Sequence, residues 1–225
     1  VEQAGEENPF DALFAEMYGQ STTTVGLNDL LSNIALAKDN DKVLGIYLKG
    51  GSLSAGPASA KAIRDALIDF KQSGKFIIAF ADSYSQTNYY IASVADKIFL
   101  NPVGSLAWDG LSAEKIYVTR LYEKIGIEMQ ILKVGTFKSA VEPYFRTSMS
   151  EADRKQTEQY LGGIWSEMKT AVGQSRQIAA EQLHAYADEC MSLQPQEKYL
   201  AYNFVDSLVY IQEMDSILRT YAGTK

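Results

Sequence analysis

Residues 75–102 read KFIIAFADSYSQTNYYIASVADKIFLNP. Two short apolar runs, KFIIAF (75–80) and KIFLNP (97–102), bracket SQTNYYIASVA, which reads as a helix. A short, nearly continuous apolar run is expected of a strand buried on both faces of a sheet. Strand, helix and strand in that order predict a parallel pair joined by a right-handed crossover. The pattern extends both ways. Upstream, Leu27, Leu30, Leu31, Ile34 and Leu36 space out a helix that the KDNDK cluster ends. VLGIYL (43–48) repeats the buried-strand signature, and a further helix runs from about Ala58 to Lys71, closed by Ser73-Gly74. Downstream, IYVTRLYEKIG (116–126) puts Val118, Leu121, Tyr122 and Ile125 on one helical stripe, and EMQILKV (128–134) reads as a fourth strand. Strands separated by single helices predict an α/β domain with a largely parallel sheet and crossover helices.

The texture changes after Ser150. Ser150 and Asp153 approximate a capping box, and the helix that follows carries Tyr160, Leu161, Ile164, Trp165, Met168 and Val172 on one face. Gly162-Gly163 inside it marks a kink or a close helix approach. QPQEKYLAYNFVDSLVY then predicts a short helix and a brief apolar segment, and one more helix ends the chain. That apolar segment needs a sheet to pack on, so 151–225 is expected to be a helical extension packing on the core or on a neighbouring subunit. The core is expected over 25–150. Residues 1–24 form an arm in which Phe10, Leu13, Phe14 and Met17 are spaced for a short amphipathic helix.

Composition excludes several classes of function. The chain of 225 residues is 46% hydrophobic and 22% charged, within the globular range. A net charge of −7 leaves no cation excess with which to track nucleic-acid phosphates. No apolar run approaches the roughly 20 residues needed to cross a bilayer. With one cysteine, Cys190, and one histidine, His184, neither an internal disulfide, a multi-thiolate metal site nor a two-histidine zinc helix is possible. No metal and no cofactor is expected. His184, in AAEQLHAYADEC, reads as a partly exposed structural residue whose side chain diverges from Cys190. Any acid–base chemistry then falls to lysine, carboxylate or tyrosine. The fourteen tyrosines fit helix–sheet packing or a partner surface better than catalysis.

Three places carry candidate chemistry. Gly50-Gly51 follows the first strand, at the end of the sheet where α/β folds place ligands. It is read either as a tight turn or as a pair of backbone N–H groups converging on a substrate strand or an oxyanion. Lys138 lies in GTFKSAVEP (135–143), flanked by Phe137, Ala140 and Val141. Burial there would lower its pKa toward that of a working base. Glu142, four residues on, would hold it charged if 138–142 were helical, and on residue chemistry alone that surface pair is the favoured reading. Ser85 sits where strand gives way to helix, as an N-cap or as a nucleophile near helix N–H groups.

VLGIYLKGGSLSAG, FKQSGKFIIAFADSYSQTNYYIASVADKIFLNPVG and, most specifically, VGTFKSAVEPYFRTSMS resemble the long-form bacterial signal peptide peptidase A (protease IV) family, in its amino-terminal half. The similarity spans roughly residues 26 to 210. It implies a Clp protease/crotonase-like fold and a serine endopeptidase with a Ser–Lys dyad and no histidine. In that family the lysine comes from the amino-terminal half, within G-T-[FY]-K-S-A-V-E-P, which Lys138 matches. The serine comes from the carboxyl-terminal half, in an A-S-G-G-Y-W-like stretch, and Gln86 aligns with it here. The resemblance therefore implies a base-supplying half, inactive alone, whose partner is a carboxyl-terminal serine half. It further implies a homo-oligomer, tetrameric in that family, and an anchor upstream of Val1 holding the body on the periplasmic face of the bacterial inner membrane. Hydrophobic signal-peptide remnants would be its substrates, bound as extended strands. Two other readings compete with it: a non-catalytic scaffold of the same fold, and a crotonase-like acyl-coenzyme A enzyme.

Overall fold

A computed structural model describes residues 25–51, 53, 55–132 and 134–223. The amphipathic segment expected near Phe10–Met17 lies outside these residues. The chain divides into two compact units, one running to Asp109 and resuming at Ala171, the other Gly110–Thr170.

The first unit holds a four-stranded, all-parallel sheet in the order β1-β2-β3-β4. Its elements alternate as expected: α1 (Leu27–Asp39), β1 (Gly45–Lys49), α2 (Pro57–Lys71), β2 (Phe76–Ala81), α3 (Gln86–Ala92) and β3 (Lys97–Leu100). Pro57 opens α2 in the first turn, where its missing N–H loses nothing. Ser73 and Gly74 close it, Gly74 adopting φ +79°. The register is Ile77 beside Ile46 and Ala79 beside Ile98. From Ile77 to Ala81, β2 is buried on both faces, each large side chain contributing about 1.5–3 kcal/mol. β1 is an edge strand and only half-buried, which corrects the expectation of burial on both faces.

The second predicted difference is larger. EMQILKV (128–134) forms no strand among its described residues, and Met129, Leu132 and Val134 are exposed. Apolar sequence makes a strand only where another strand's edge can accept its hydrogen bonds, and within its unit this run finds none. The fourth strand is β4 (Ser207–Leu208), paired with β3 in the brief apolar segment that required a sheet. It is reached after α5 (Glu151–Arg176), α6 (Ala180–Asp188) and α7 (Gln196–Ala201), and the closing helix α8 (Ile211–Ala222) follows it. Met214, Ile217 and Leu218 of α8 pack with Ile78, Phe80 and Phe99 on one sheet face.

An aspartate precedes each of the last two full pairings and closes it. Asp96 accepts the N–H of Ile77 at 2.8 Å and donates its own backbone N–H to Ile77 O. Asp206 repeats the arrangement on Ile98 and is also bound by Arg176 at 3.0 Å. Arg64 is buried and ties α2 to the Tyr90 carbonyl and Ser93 of the α3 end, and to Ala171 O and Ser175 of α5. Tyr89, Trp108, Tyr186 and Phe204 form an aromatic cluster in which Tyr89 donates to Phe204 O and Trp108 to Leu183 O. Both tyrosines are packing residues, and the Tyr89 hydroxyl is satisfied.

The second unit contains α4 (Thr119–Lys124), a single 3-10 turn (Glu142–Tyr144) and most of α5. The expected stripe on α4 is not buried, with Leu121 and Ile125 more than half exposed. Gly162 and Gly163 lie within unbroken helix, and no atom approaches where their Cβ atoms would be.

Candidate functional site

At the carboxyl ends of β1 and β2, Gly50 is fixed by packing. Its N–H donates to Phe80 O at 2.6 Å, and a Cβ would stand 2.5 Å from that of Ala81. That N–H is therefore committed to the sheet and unavailable to an oxyanion. Gly51 is open, with nothing within 4 Å of a Cβ position, and its carbonyl accepts the Asn88 amide at 2.6 Å. Ser85 is the N-cap of α3, its Oγ accepting the Asn88 N–H at 3.2 Å. Among the described residues its hydroxyl meets no lysine, histidine or carboxylate. Gln86, the residue expected from the resemblance to align with the serine of the other half, accepts the Asp109 N–H through its side-chain oxygen. Gly104 lets a neighbouring loop approach, since a Cβ there would stand on Asp82 O.

In the second unit Lys138 sits in a turn that begins at Gly135, whose φ of +98° favours glycine. Lys138 is exposed, and among the described residues no hydrogen bond or ion pair reaches its ammonium group. Residues 138–141 lie outside any helix and a 3-10 turn begins only at Glu142, so the four-residue spacing does not bring Glu142 onto Lys138. Glu142 is buried instead, accepting the Ser150 hydroxyl at 2.6 Å and the Ser150 N–H at 3.1 Å, with Arg146 at 4.0 Å. Ser150 caps α5 through Asp153 N–H, as its sequence position predicts. The reciprocal carboxylate is that of Glu142 and not of Asp153.

Asp153 is buried, and its carboxylate binds Lys115. Burial alone would raise its pKa, but hydrogen bonds from Lys115 and from the Ser139 hydroxyl outweigh it and hold the group below the ordinary range. Sequence reading did not find this pair: Lys115 and Asp153 are 38 positions apart and no local spacing connects them. Asp153 and Glu142 hold the chain that follows Lys138, Asp153 through Ser139 and Glu142 through Ser150. Around it Leu132, Val134, Phe137, Tyr144 and Phe145 are exposed. The arrangement presents an amine flanked in the chain by exposed apolar residues, with no counter-ion among the described residues.

His184 and Cys190 are both exposed. Cys190 lies beyond the end of α6 in a left-handed conformation and not within the helix. Among the described residues no group of three or more His, Cys, Asp or Glu is placed to hold a metal. No helix among them is long and apolar enough to cross a membrane.

Peptidase family S49 matches residues 69–224. Protease 4 of Haemophilus influenzae (strain ATCC 51907 / DSM 11121 / KW20 / Rd) is 37% identical over 160 residues, covering 69% of this chain and 25% of that protein. Protease 4 of Salmonella typhi is 34% identical over 187 residues, covering 81% and 30%. The chloroplastic serine protease SPPA of Arabidopsis thaliana is 25% identical over 201 residues, covering 89% and 29%. The chain thus spans between a quarter and a third of the length of the curated relatives it matches.

Proposed function

The chain belongs to peptidase family S49, and from that premise we propose that it is the lysine-donating half of a Ser–Lys endopeptidase. Lys138, unprotonated, takes the proton of a serine hydroxyl supplied by a carboxyl-terminal half and later returns it to the leaving amine. One observation carries this reading: the Lys138 ammonium is presented without a partner among the described residues, while the nearest acid in its motif, Glu142, is committed to Ser150. A base needs freedom from a carboxylate, because such a pair would hold it charged. The exposed Val134, Phe137 and Phe145 support a further surface closing over the turn and withdrawing water from the amine. Gln86 at the aligned nucleophile position, and Ser85 as a cap, support the assignment of the serine to another half.

The substrates are hydrophobic signal-peptide remnants, the assembly a homo-oligomer, and the place of action the periplasmic face of the bacterial inner membrane. Gly51 is the better of the two glycines for contacting a substrate strand, since the N–H of Gly50 is already used.

The test mixes this chain with a separately produced serine-bearing half and follows cleavage of a hydrophobic peptide. Each alone is expected to be inactive and the mixture active, with Lys138→Ala lowering the rate at least 1,000-fold (a loss of the order seen when one member of a catalytic set is removed). Undiminished cleavage by Lys138→Ala would leave the chain a scaffold. Stabilisation by acyl-coenzyme A in a thermal-shift assay would favour the crotonase-like reading.

A further inference from the structure

Within the 110–170 unit, Tyr117, Thr119, Arg120, Arg146 and Thr147 line a cleft of about 190 Å³. At about 30 Å³ per water this has room for roughly six waters, or one small anion with a few of them. The lining offers two guanidinium groups and three hydroxyls and no carboxylate, in a chain whose net charge is −7. Its walls are held together by one backbone and one side-chain hydrogen bond. Val118 N–H donates to Pro143 O at 2.9 Å, and the Thr119 hydroxyl donates to Arg146 O at 2.6 Å. Arg146 is oriented by its Nε, which donates to Ser148 O at 3.2 Å, and its terminal nitrogens make no hydrogen bond among the described residues. Glu142, 4.0 Å from that Nε, is already bound twice by Ser150. The side chain of Arg120 makes no hydrogen bond or ion pair among the described residues. The Tyr117 hydroxyl is shut away from solvent with no hydrogen-bond partner among the described residues, which is unfavourable for a group that can donate and accept.

We propose that this cleft is a binding site for a small oxyanion, a carboxylate or a phosphate group, held by the guanidinium forks of Arg120 and Arg146 and by the Tyr117 hydroxyl. Guanidinium donates in a planar pair that matches two oxygens of either anion, and charge-assisted hydrogen bonds of this kind are the strong ones. The orphaned hydroxyl of Tyr117 gains an acceptor when the anion enters. A free carboxylate at the end of a peptide is the form that a peptidase would meet, but the site stands on its own residues and not on that reading.

The test uses the whole 225-residue chain, ¹⁵N-labelled, titrated at constant ionic strength with inorganic phosphate, with N-acetyl-dialanine, and with its carboxy-terminal amide. Saturable shifts of the Thr119, Arg120 and Thr147 amide signals are expected with one or both anions and not with the amide. Saturation by phosphate alone assigns a phosphate ligand, and saturation by the peptide acid alone assigns a carboxylate. Arg120→Gln is expected to weaken binding at least tenfold and Tyr117→Phe severalfold. Arg120→Lys, which keeps the charge and loses the fork, falls between wild type and Arg120→Gln. Lys124→Gln, an exposed charge on the same helix, leaves binding unchanged. Absence of saturation with both anions, equal binding of the amide, or equal weakening by Lys124→Gln and Arg120→Gln would overturn the proposal. None of these readings involves peptide cleavage, so they separate the failure of this site from failure of the protease assignment.

Discussion

Glu142 holds Ser150 at both ends: Oε1 lies 2.6 Å from the serine hydroxyl and Oε2 3.1 Å from its backbone N–H. The same hydroxyl accepts Asp153 N–H at the start of α5, so one buried carboxylate both anchors a helix cap and is withheld from the Lys138 turn. Glu142→Ala leaves the Ser150 N–H without its acceptor in a partly buried site. A loss of about 1–3 kcal/mol is expected in urea unfolding. Ser150→Ala should cost about 1 kcal/mol as a lost cap. The double variant should lose less than the sum, by at least about 0.5 kcal/mol, because the two groups share one hydrogen bond.

Lys138→Ala and Lys138→Met should leave stability within about 0.5 kcal/mol of wild type, since the side chain is exposed and makes no hydrogen bond or ion pair among the described residues. The urea midpoint checks this. A large loss of stability would mean that the lysine serves the fold, and the catalytic reading would lose its support.

Gly50 and Gly51 are adjacent and should behave oppositely. Gly50→Ala drives a methyl to 2.5 Å from the Ala81 Cβ between two paired strands, so a destabilisation of about 1–3 kcal/mol is expected. Gly51→Ala meets nothing within 4 Å and should fall within about 0.5 kcal/mol. Paired thermal melts distinguish them.

Asp153 and Asp206 set the acid side of the stability curve. Burial would raise Asp206, but the Ile98 N–H, Arg176 and Lys97 outweigh it and hold it below the ordinary range, as Lys115 and Ser139 do for Asp153. The unfolded chain therefore takes up these protons at a higher pH than the folded one. The stability they contribute is complete above their unfolded pKa of about 4 and is lost as pH falls through their folded values. The urea midpoint should be level from pH 7 to 5 and should fall below about pH 4. Asp206→Asn should begin lower at pH 7, because Arg176 is left buried beside a neutral partner, and should fall less steeply in acid. An equally steep fall in Asp206→Asn would remove this aspartate from the account.

The central strands were legible in the residues alone, because β2 and β3 are buried and apolar along most of their length. Ser85 and Ser150 were legible as caps for the same local reason: a hydroxyl and the N–H three residues on are neighbours in the chain. What lay beyond reach was pairing across distance. Nothing in EMQILKV distinguishes an exposed segment from a strand, and a two-residue strand such as Ser207–Leu208 has no periodicity to read. The Glu142–Lys138 spacing suggested a pair only under the assumption of helix, and a 3-10 turn starting at Glu142 removed it. Sequence by itself determined the α/β alternation, the glycine turn after β1 and the lysine motif, since these depend on neighbouring residues and on apolar runs. Only the tertiary structure decided which strand completes the sheet, that the N–H of Gly50 is already used, and that Glu142 belongs to Ser150. Each of those depends on groups that no local helix or cap spacing connects, and that hydrogen-bond only once the fold has brought them within 3 Å or so of one another.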